Sequence, residues 1–229
     1  ERYGTQAAND FQSALNLDAG STLISWSMAK SVTHAAVGIL VADGHLDTDA
    51  PAPVDAWAGT PKAEITMLQL LEMRSGLHFI EDYIDGETSN CLEMLFGDSG
   101  PSHAEYAASQ PLIHEPGTKW SYSSGTTNIV ARIIGDIVNG SAGGDPAKRE
   151  AAMRAFLTAR LFGPAGMASA EPKFDGVGDF VGSSYVYASA RDFMQFGELY
   201  RHDGVADLGN GERILPPGWT ANAAHQIAI

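Results

Sequence analysis

The sequence predicts an α/β or α+β fold in which several helices pack on a small sheet. Apolar residues recur at helical spacing in five segments that begin or end at capping residues or glycine, whereas strand-like alternation is sparse. The chain has 229 residues, of which 44% are hydrophobic, and this suits one globular domain with a substantial core. We therefore predict a single domain over residues 1–229.

The first two predicted helices lie in the first third of the chain. One begins at Met28, carries apolar residues at helical spacing, and ends before Gly44. The next begins after Thr66, which stands in capping-box spacing with Gln69, and it closes at Gly76.

Three further helices are predicted downstream. An apolar stripe over 129–138 indicates one of them. Asp145 precedes a proline and so predicts the cap of a helix over 146–162. Ser189 and Asp192 form a capping pair before the last helix.

Strand signals are confined to two places. The clearest is "DFVGSSYVYA" (Asp179 to Ala188), and the opening "ERY" is consistent with the tail of another strand. Because so few strands would make only a small sheet, we expect that part of the sheet lies outside this sequence.

Charge and composition exclude several function classes. The formal net charge of −14 disfavours a phosphate backbone as a partner, so we expect no nucleic-acid binding. No apolar run approaches the roughly 18 residues of a membrane span. The only cysteine, Cys91, has no basic neighbour in sequence, and we assign it a structural or incidental role.

The most informative short motif is "SMAK", which places Ser27 and Lys30 three residues apart. Side chains at this spacing share one helix face, so the amine can reach the hydroxyl. A serine needs a nearby base to accept its proton as it attacks, and a lysine can serve when its amine is neutral. Four residues alone are also compatible with an ordinary helix start and a solvated lysine.

A second candidate residue is Tyr122, which lies in "KWSYSSG" just before an apolar helix. A phenol can relay a proton between a serine, a lysine and a leaving group. The alternative is an aromatic ring that fills the core beside Trp120.

Taken together, five segments resemble the serine β-lactamase-related family, which includes class C β-lactamases, D-Ala-D-Ala carboxypeptidases, carboxylesterases and 6-aminohexanoate-dimer hydrolases. The segments are "SMAK", "ITMLQLLEMRSGLHFIEDY", "EPGTKWSYSSGTTNIVARIIG", "LFGPAGM" and "FVGSSYVYASARDFMQFGELYRHDG". The resemblance covers nearly the whole chain. It implies a β-lactamase/transpeptidase-like fold with a helical region on an antiparallel sheet.

The resemblance also implies roles for individual residues. Ser27 would be the acylated nucleophile, Lys30 its base partner and Tyr122 the tyrosine of the Y-x-N motif. That motif reads Tyr-Ser-Ser here, so Ser124 replaces an asparagine that helps hold the substrate amide in β-lactamases. The replacement favours an ester or amide substrate of the esterase and nylon-oligomer type over a β-lactam.

Other substrate contacts are predicted with these. Tyr83, in "EDY", resembles a loop tyrosine that closes over the amide in nylon-oligomer hydrolases, and an exposed loop aromatic is the alternative. Ser124, Trp26 and Ser183 complete the candidates for substrate binding. The predicted partner is a small ester or amide, with no metal and no cofactor.

The family's third motif, K-T-G or a related triplet on a strand, does not occur downstream of Tyr122. The resemblance implies that this strand follows residue 229, that the first strands precede residue 1, and that the domain is incomplete at both ends. The lost strand would supply part of the oxyanion hole. Activity of this chain therefore stays open, and β-lactamase or D-Ala-D-Ala carboxypeptidase activity remains an alternative.

Rival chemistries find less support. The sequence has no G-x-S-x-G, no H-E-x-x-H, no S-D-N and no nucleotide-binding glycine motif. His34 follows Ser27 by two helical turns, about 10 Å, which is too far for direct proton transfer. The alternative outside enzymology is a family member that binds a ligand without turnover.

Overall fold

The computed structural model describes residues 17–84 and 89–221, in which seven α-helices and three short strands occur. The helices are α1 (Ala29–Ala42), α2 (Met67–Leu71), α3 (Asn90–Phe96), α4 (His103–Ser109), α5 (Ser124–Asn139), α6 (Pro146–Leu157) and α7 (Ala190–Arg201). The strands are β1 (Thr22–Ile24), β2 (Glu171–Pro172) and β3 (Val186–Ser189). No helix within these ranges is both long enough and apolar enough to cross a membrane.

Helix α5 forms the centre of the helical region. It packs against α1, α2, α4 and α6, and nearly all of its first three turns are buried. Ser123 caps its amino end by accepting the N–H of Thr126 at 3.0 Å. Gly140 ends it in a left-handed conformation with φ of 73°. The apolar stripe over 129–138 therefore lies on a core helix, as predicted.

Helix α1 is the second core element, and only its first and last turns approach the surface. A 3-10 turn over Trp26–Met28 leads directly into it. Gly38 has no side chain because the indole of Trp219 lies against it: a Cβ there would be 2.6 Å from the indole nitrogen. This close approach holds the end of the described chain against the helix that carries Lys30.

The three strands form one antiparallel sheet in the order β1-β3-β2. In β1, Thr22 pairs with Ser189 and Ile24 pairs with Tyr187. The fold is therefore the predicted one, with helices packed on a small antiparallel sheet. The strand-like opening "ERY" lies outside the described residues.

The strand predicted over 179–188 is wrong in extent, since only Val186–Ser189 is extended in the sheet. The preceding residues turn toward the helices instead. The carbonyl oxygen of Gly182 accepts from Thr33 Oγ1 at 3.0 Å, and the N–H of Ser183 donates to Asn128 at 3.1 Å. Their backbone groups are satisfied by helix side chains and not by a neighbouring strand.

The predicted caps are confirmed, and one helix is shorter than predicted. Thr66 and Gln69 form both hydrogen bonds of a capping box, at 3.2 Å and 3.0 Å. That helix ends at Leu71 and not near Gly76, because Met73 adopts a left-handed φ of 58°. The short helices α3 and α4 were not predicted.

The last two predicted helices are also observed. Asp145 accepts the N–H of Ala147 at 3.0 Å, and α6 continues as a π-helical turn over Thr158–Phe162. The cap of α7 is Ser189, whose hydroxyl accepts the N–H of Asp192 at 3.2 Å.

Candidate active site

Ser27 is placed at the start of α1 by a tight connection from β1. The N–H of Ser25 donates to the carbonyl oxygen of Val186 at 2.8 Å, and the hydroxyl of Ser25 accepts the N–H of Val186 at 3.1 Å. Trp26 then adopts a φ of 45°, a left-handed conformation that bulky side chains rarely take. Backbone strain of this kind concentrates at functional sites. The result is an exposed hydroxyl of Ser27 at the amino end of a buried helix.

Lys30 lies on the same helix face as Ser27 and is partly buried. Its Nζ is 3.1 Å from the Ser27 hydroxyl, 2.9 Å from the Ser124 hydroxyl and 3.0 Å from the carbonyl oxygen of Ser183. One amine therefore joins α1, α5 and the turn before β3. Such a geometry allows the amine to exchange a proton with Ser27.

Tyr122 completes the contact from the segment before α5. Its hydroxyl donates to Ser27 Oγ at 2.7 Å, and its ring lies 4.8 Å from Lys30 Nζ. The turn at Met73 fixes this segment, because the carbonyl oxygen of that residue accepts the N–H of Ser121 at 2.8 Å. The structure thus brings all three predicted catalytic residues together, although they come from two distant parts of the chain.

Ser124 is buried at the amino end of α5. Besides its contact with Lys30, it hydrogen-bonds to Glu81 in two ways. The backbone N–H of Ser124 donates to Oε2 of Glu81 at 2.5 Å, and its hydroxyl donates to Oε1 at 2.8 Å. A carboxylate is favourable here, because the amino end of a helix carries partial positive charge.

Tyr83 also contacts this carboxylate. Its hydroxyl donates to Oε1 of Glu81 at 2.8 Å and lies 3.6 Å from the sulfur of Cys91. The residue is nevertheless 64% exposed, so its ring faces solvent while its hydroxyl end turns inward. Burial of that end, with the Cys91 and Glu81 contacts, raises the pKa of Tyr83. Burial also raises the pKa of Cys91, which keeps this thiol protonated and agrees with a structural role.

Ser183 reaches the site through its main chain. Its side chain is fully buried and pairs with the hydroxyl of Ser184 at 2.9 Å, while its carbonyl oxygen accepts from Lys30. Thr33 holds Gly182 immediately before it: a Cβ on that glycine would lie 2.3 Å from Thr33 Oγ1. The predicted contact of Ser183 with the site is thus made by a carbonyl oxygen and not by the hydroxyl.

Exposed apolar side chains flank the catalytic residues in the sequence. Trp26 and Met28, on either side of Ser27, are 52% and 53% exposed. Trp120, two residues before Tyr122, is 40% exposed. A contiguous apolar patch on a surface often marks a binding site, and these three side chains are candidates for such a patch.

His34 is held by contacts on the far side of α1. Its Nδ1 lies 2.8 Å from the hydroxyl of Tyr200, which donates to the carbonyl oxygen of Ser31 at 2.9 Å. The ring stacks on Trp219 with 4.8 Å between ring centroids. Burial lowers the pKa of His34 to about 4, so its imidazole is neutral near pH 7.

A groove of about 1030 Å³ lies elsewhere, lined by residues that include Trp57, Lys62 and Arg132. Ser27, Lys30 and Tyr122 are not part of its lining. The candidate active site at the exposed Ser27 hydroxyl is therefore separate from this groove.

Sequence analysis missed two residues of the site, Glu81 and Asn128. Glu81 stands in the "EDY" segment, whose resemblance to a substrate-binding loop points to Tyr83 and not to the carboxylate. Asn128 is buried in α5, where its amide oxygen accepts from Ser183. A polar residue on the buried face of an apolar helix was the only signal for it.

Comparisons with known proteins identify the family and the fold of this chain. The sequence profile of the family described as Beta-lactamase matches residues 5–226. The fold is similar to that of a proposed 6-aminohexanoate-dimer hydrolase from Bacillus anthracis, with a TM-score of 0.73, 20% identity, and coverage of 90% of this chain and 53% of that one. No curated protein sequence gave a match.

Two further solved structures share the fold. A D-amino acid amidase from Ochrobactrum anthropi SV3, complexed with L-phenylalanine, has a TM-score of 0.60 and 18% identity over 89% of this chain and 61% of that one. A class C beta lactamase from Rhodobacter sphaeroides has a TM-score of 0.56 and 18% identity over 91% and 57%. The chain spans between half and two thirds of the length of these three structures. Since the family profile matches nearly its whole length, the chain belongs to the beta-lactamase family.

Proposed function

We propose that this chain carries the acylation site of a serine hydrolase that cleaves esters or amides through Ser27. The observation that supports this most directly is that Ser27 Oγ lies within hydrogen-bond distance of both Lys30 Nζ, at 3.1 Å, and the Tyr122 hydroxyl, at 2.7 Å. An exposed serine beside an amine and a phenol matches the pattern of an activated nucleophile with its base.

The first step is attack of Ser27 Oγ on the carbonyl carbon of the substrate. The serine proton moves to Lys30, and the carbonyl oxygen becomes an oxyanion. The N–H of Ser27 lies in the first turn of a helix, where backbone donors lack intrahelical acceptors, so it can stabilise that oxyanion. Loss of one such donor raises a barrier by about 3 kcal/mol.

The second half of the reaction returns the enzyme to its starting state. The leaving group departs with a proton delivered through Tyr122, and an ester between Ser27 and the acyl group remains. Water attacks this ester with Lys30 and Tyr122 as proton carriers. The acid product and free Ser27 are then restored.

Two observations support an ester or amide substrate over a β-lactam. Ser124 stands where β-lactamases carry an amide side chain, so the site offers a hydroxyl there. The exposed Trp26 and Met28 beside Ser27 offer apolar surface to an acyl or alcohol group. The nylon-oligomer hydrolase type remains our preferred member of this class.

The test is intact-mass measurement after incubation with a small activated ester and with a fluorophosphonate. We expect one adduct on the parent chain and none on Ser27→Ala. The matched control is Ser31→Ala, because Ser31 is a second exposed serine at the start of the same helix. An adduct that persists in Ser27→Ala would exclude Ser27 as the nucleophile.

The variant Lys30→Ala distinguishes an enzyme from a protein that binds a ligand without turnover. In an enzyme, loss of the general base should slow acylation by about 10²- to 10⁴-fold. Lys148→Ala, which removes an exposed lysine on α6, should react like the parent. Parallel assays with a chromogenic cephalosporin would show whether a β-lactam is also accepted.

A further inference from the structure

The carboxylate of Glu81 receives three hydrogen bonds at the amino end of α5. The donors are the N–H of Ser124 at 2.5 Å, its hydroxyl at 2.8 Å, and the hydroxyl of Tyr83 at 2.8 Å. A carboxylate only accepts hydrogen bonds, so both hydroxyls must direct their protons toward Glu81.

This arrangement fixes what the Ser124 hydroxyl can offer to Lys30. A hydroxyl has a single proton, and in Ser124 that proton points to Glu81. The oxygen of Ser124, 2.9 Å from Lys30 Nζ, can therefore only accept a hydrogen bond from the amine. The carbonyl oxygen of Ser183, at 3.0 Å, is likewise only an acceptor.

The hydrogen count at Lys30 then determines the direction of its lone pair. A neutral amine has two N–H groups and one lone pair. Ser124 and Ser183 accept the two N–H groups, so the lone pair is left facing the third neighbour, Ser27 Oγ, at 3.1 Å. Ser27 also accepts from Tyr122, so its own proton is free to point at that lone pair.

We propose that Glu81 is a positioning residue that aligns the general base: it holds the Ser124 hydroxyl as an acceptor and thereby directs the lone pair of Lys30 at Ser27. The inference rests on the proposed function, since it assigns Lys30 the role of base. Without the carboxylate, the Ser124 hydroxyl is free to turn and donate to the lone pair of Lys30. The base would then be occupied by Ser124 and unavailable to Ser27.

The test is a double-mutant cycle on the rate of fluorophosphonate labelling, in which the bond from Ser27 Oγ to phosphorus forms, the phosphorus–fluorine bond breaks, and the serine proton passes to Lys30. The four proteins are the parent, Glu81→Gln, Ser124→Ala and the double variant. We expect Glu81→Gln to label roughly 10- to 100-fold more slowly than the parent. In the Ser124→Ala background the same change should alter the rate by less than about 3-fold, because no hydroxyl remains to misdirect.

The controls separate this role from support of the fold. Glu115→Gln, which neutralises an exposed carboxylate, should label like the parent, and melting curves check that each variant is folded. Glu81→Asp serves as a second variant, with a carboxylate one methylene shorter, and its effect should also vanish in Ser124→Ala. An equal loss in both backgrounds would overturn the positioning role while the proposed function stands. Failure of the parent itself to label at Ser27 would overturn the proposed function, and this inference with it.

Discussion

The side-chain oxygen of Asn128 accepts the backbone N–H of Ser183 at 3.1 Å, and the carbonyl oxygen of the same Ser183 accepts from Lys30 at 3.0 Å. A buried amide on α5 thus sets the position of a main-chain oxygen that contacts the amine of α1. This link joins the two core helices through the turn that precedes β3.

Replacing Asn128 by alanine should therefore lower both stability and reactivity. The buried N–H of Ser183 would lose its acceptor, which costs about 1 to 3 kcal/mol in the free energy of unfolding. Labelling of Ser27 should slow, because the carbonyl oxygen that orients Lys30 is no longer held. Urea unfolding and labelling rates measure the two effects. Asn139→Ala, at the other end of α5, is the control: it removes only hydrogen bonds to the loop over 141–143, so stability should fall by less and labelling should not change.

The hydroxyl of Tyr122 can be tested without removing its ring. In Tyr122→Phe the ring remains above Lys30, but the donor 2.7 Å from Ser27 is lost. We expect acylation to slow by about 10²- to 10⁴-fold with little change in the melting temperature. Tyr187→Phe, in β3, provides the control. A variant that acylates at the parent rate would show that the phenol takes no part in proton transfer.

Gly125 is required by packing at the amino end of α5. A Cβ at this position would lie 2.4 Å from the ring of Phe79 and 2.9 Å from the Cβ of Ala107. Gly125→Ala should reduce the free energy of unfolding by about 1 to 3 kcal/mol, through overpacking. It should also slow labelling, because Phe79 lies two residues from Glu81.

The matched change is Gly197→Ala in α7, where nothing beyond the chain neighbours and the backbone of the helix itself lies within 4 Å of the added Cβ. Alanine has the higher helix propensity, so this variant should gain about 0.5 to 1 kcal/mol. Equal stability changes for the two glycines would contradict the packing argument. Urea unfolding of both variants decides the matter.

The buried His34 makes stability depend on pH. Its pKa is lowered by burial to about 4, against about 6.5 in the unfolded chain. Between these values the unfolded state binds more protons, so the free energy of unfolding should rise as pH increases from about 4 to 6.5. Relative to pH 7, His34 should therefore lower the free energy of unfolding by about 2 to 3 kcal/mol at pH 4.5.

Urea unfolding at pH 4.5 and pH 7 of the parent and of His34→Asn measures this contribution as the difference between their pH dependences. His45→Asn, at an exposed position after α1, is the control and should follow the parent. A parent and a His34→Asn variant with the same pH dependence would show that the imidazole is not held neutral.

The buried ion pair between Arg149 and Asp179 shows where sequence patterns had no information about the fold. Arg149 Nε lies 3.0 Å from Asp179, and Nη1 of the same guanidinium lies 2.7 Å from Asp136 in α5. Both members of the pair are almost fully buried. On the sequence they are two charges 30 residues apart, and only the tertiary structure shows that the segment before β3, which carries Asp179, packs against Arg149 of α6.

Local chemistry explains what the sequence by itself determined. The cap at Thr66, the cap at Ser189 and the helical stripe over 129–138 depend on residues three or four positions apart, and all are observed. The spacing of Ser27 and Lys30 is local in the same sense, so one helix face brings them within 3.1 Å. Tyr122 is a candidate from its place before an apolar helix, and the resemblance to a family makes it the third member of the predicted site.

Tertiary structure alone decided how the amine is surrounded. Lys30 reaches Ser124 across 94 residues and Ser183 across 153, and Glu81 reaches Ser124 across 43. No periodicity links positions so far apart, because their contacts follow from how α1, α5 and the turn before β3 pack together. The sequence determined which groups can carry the chemistry. Packing decided which acceptors surround Lys30, and therefore where its lone pair can point.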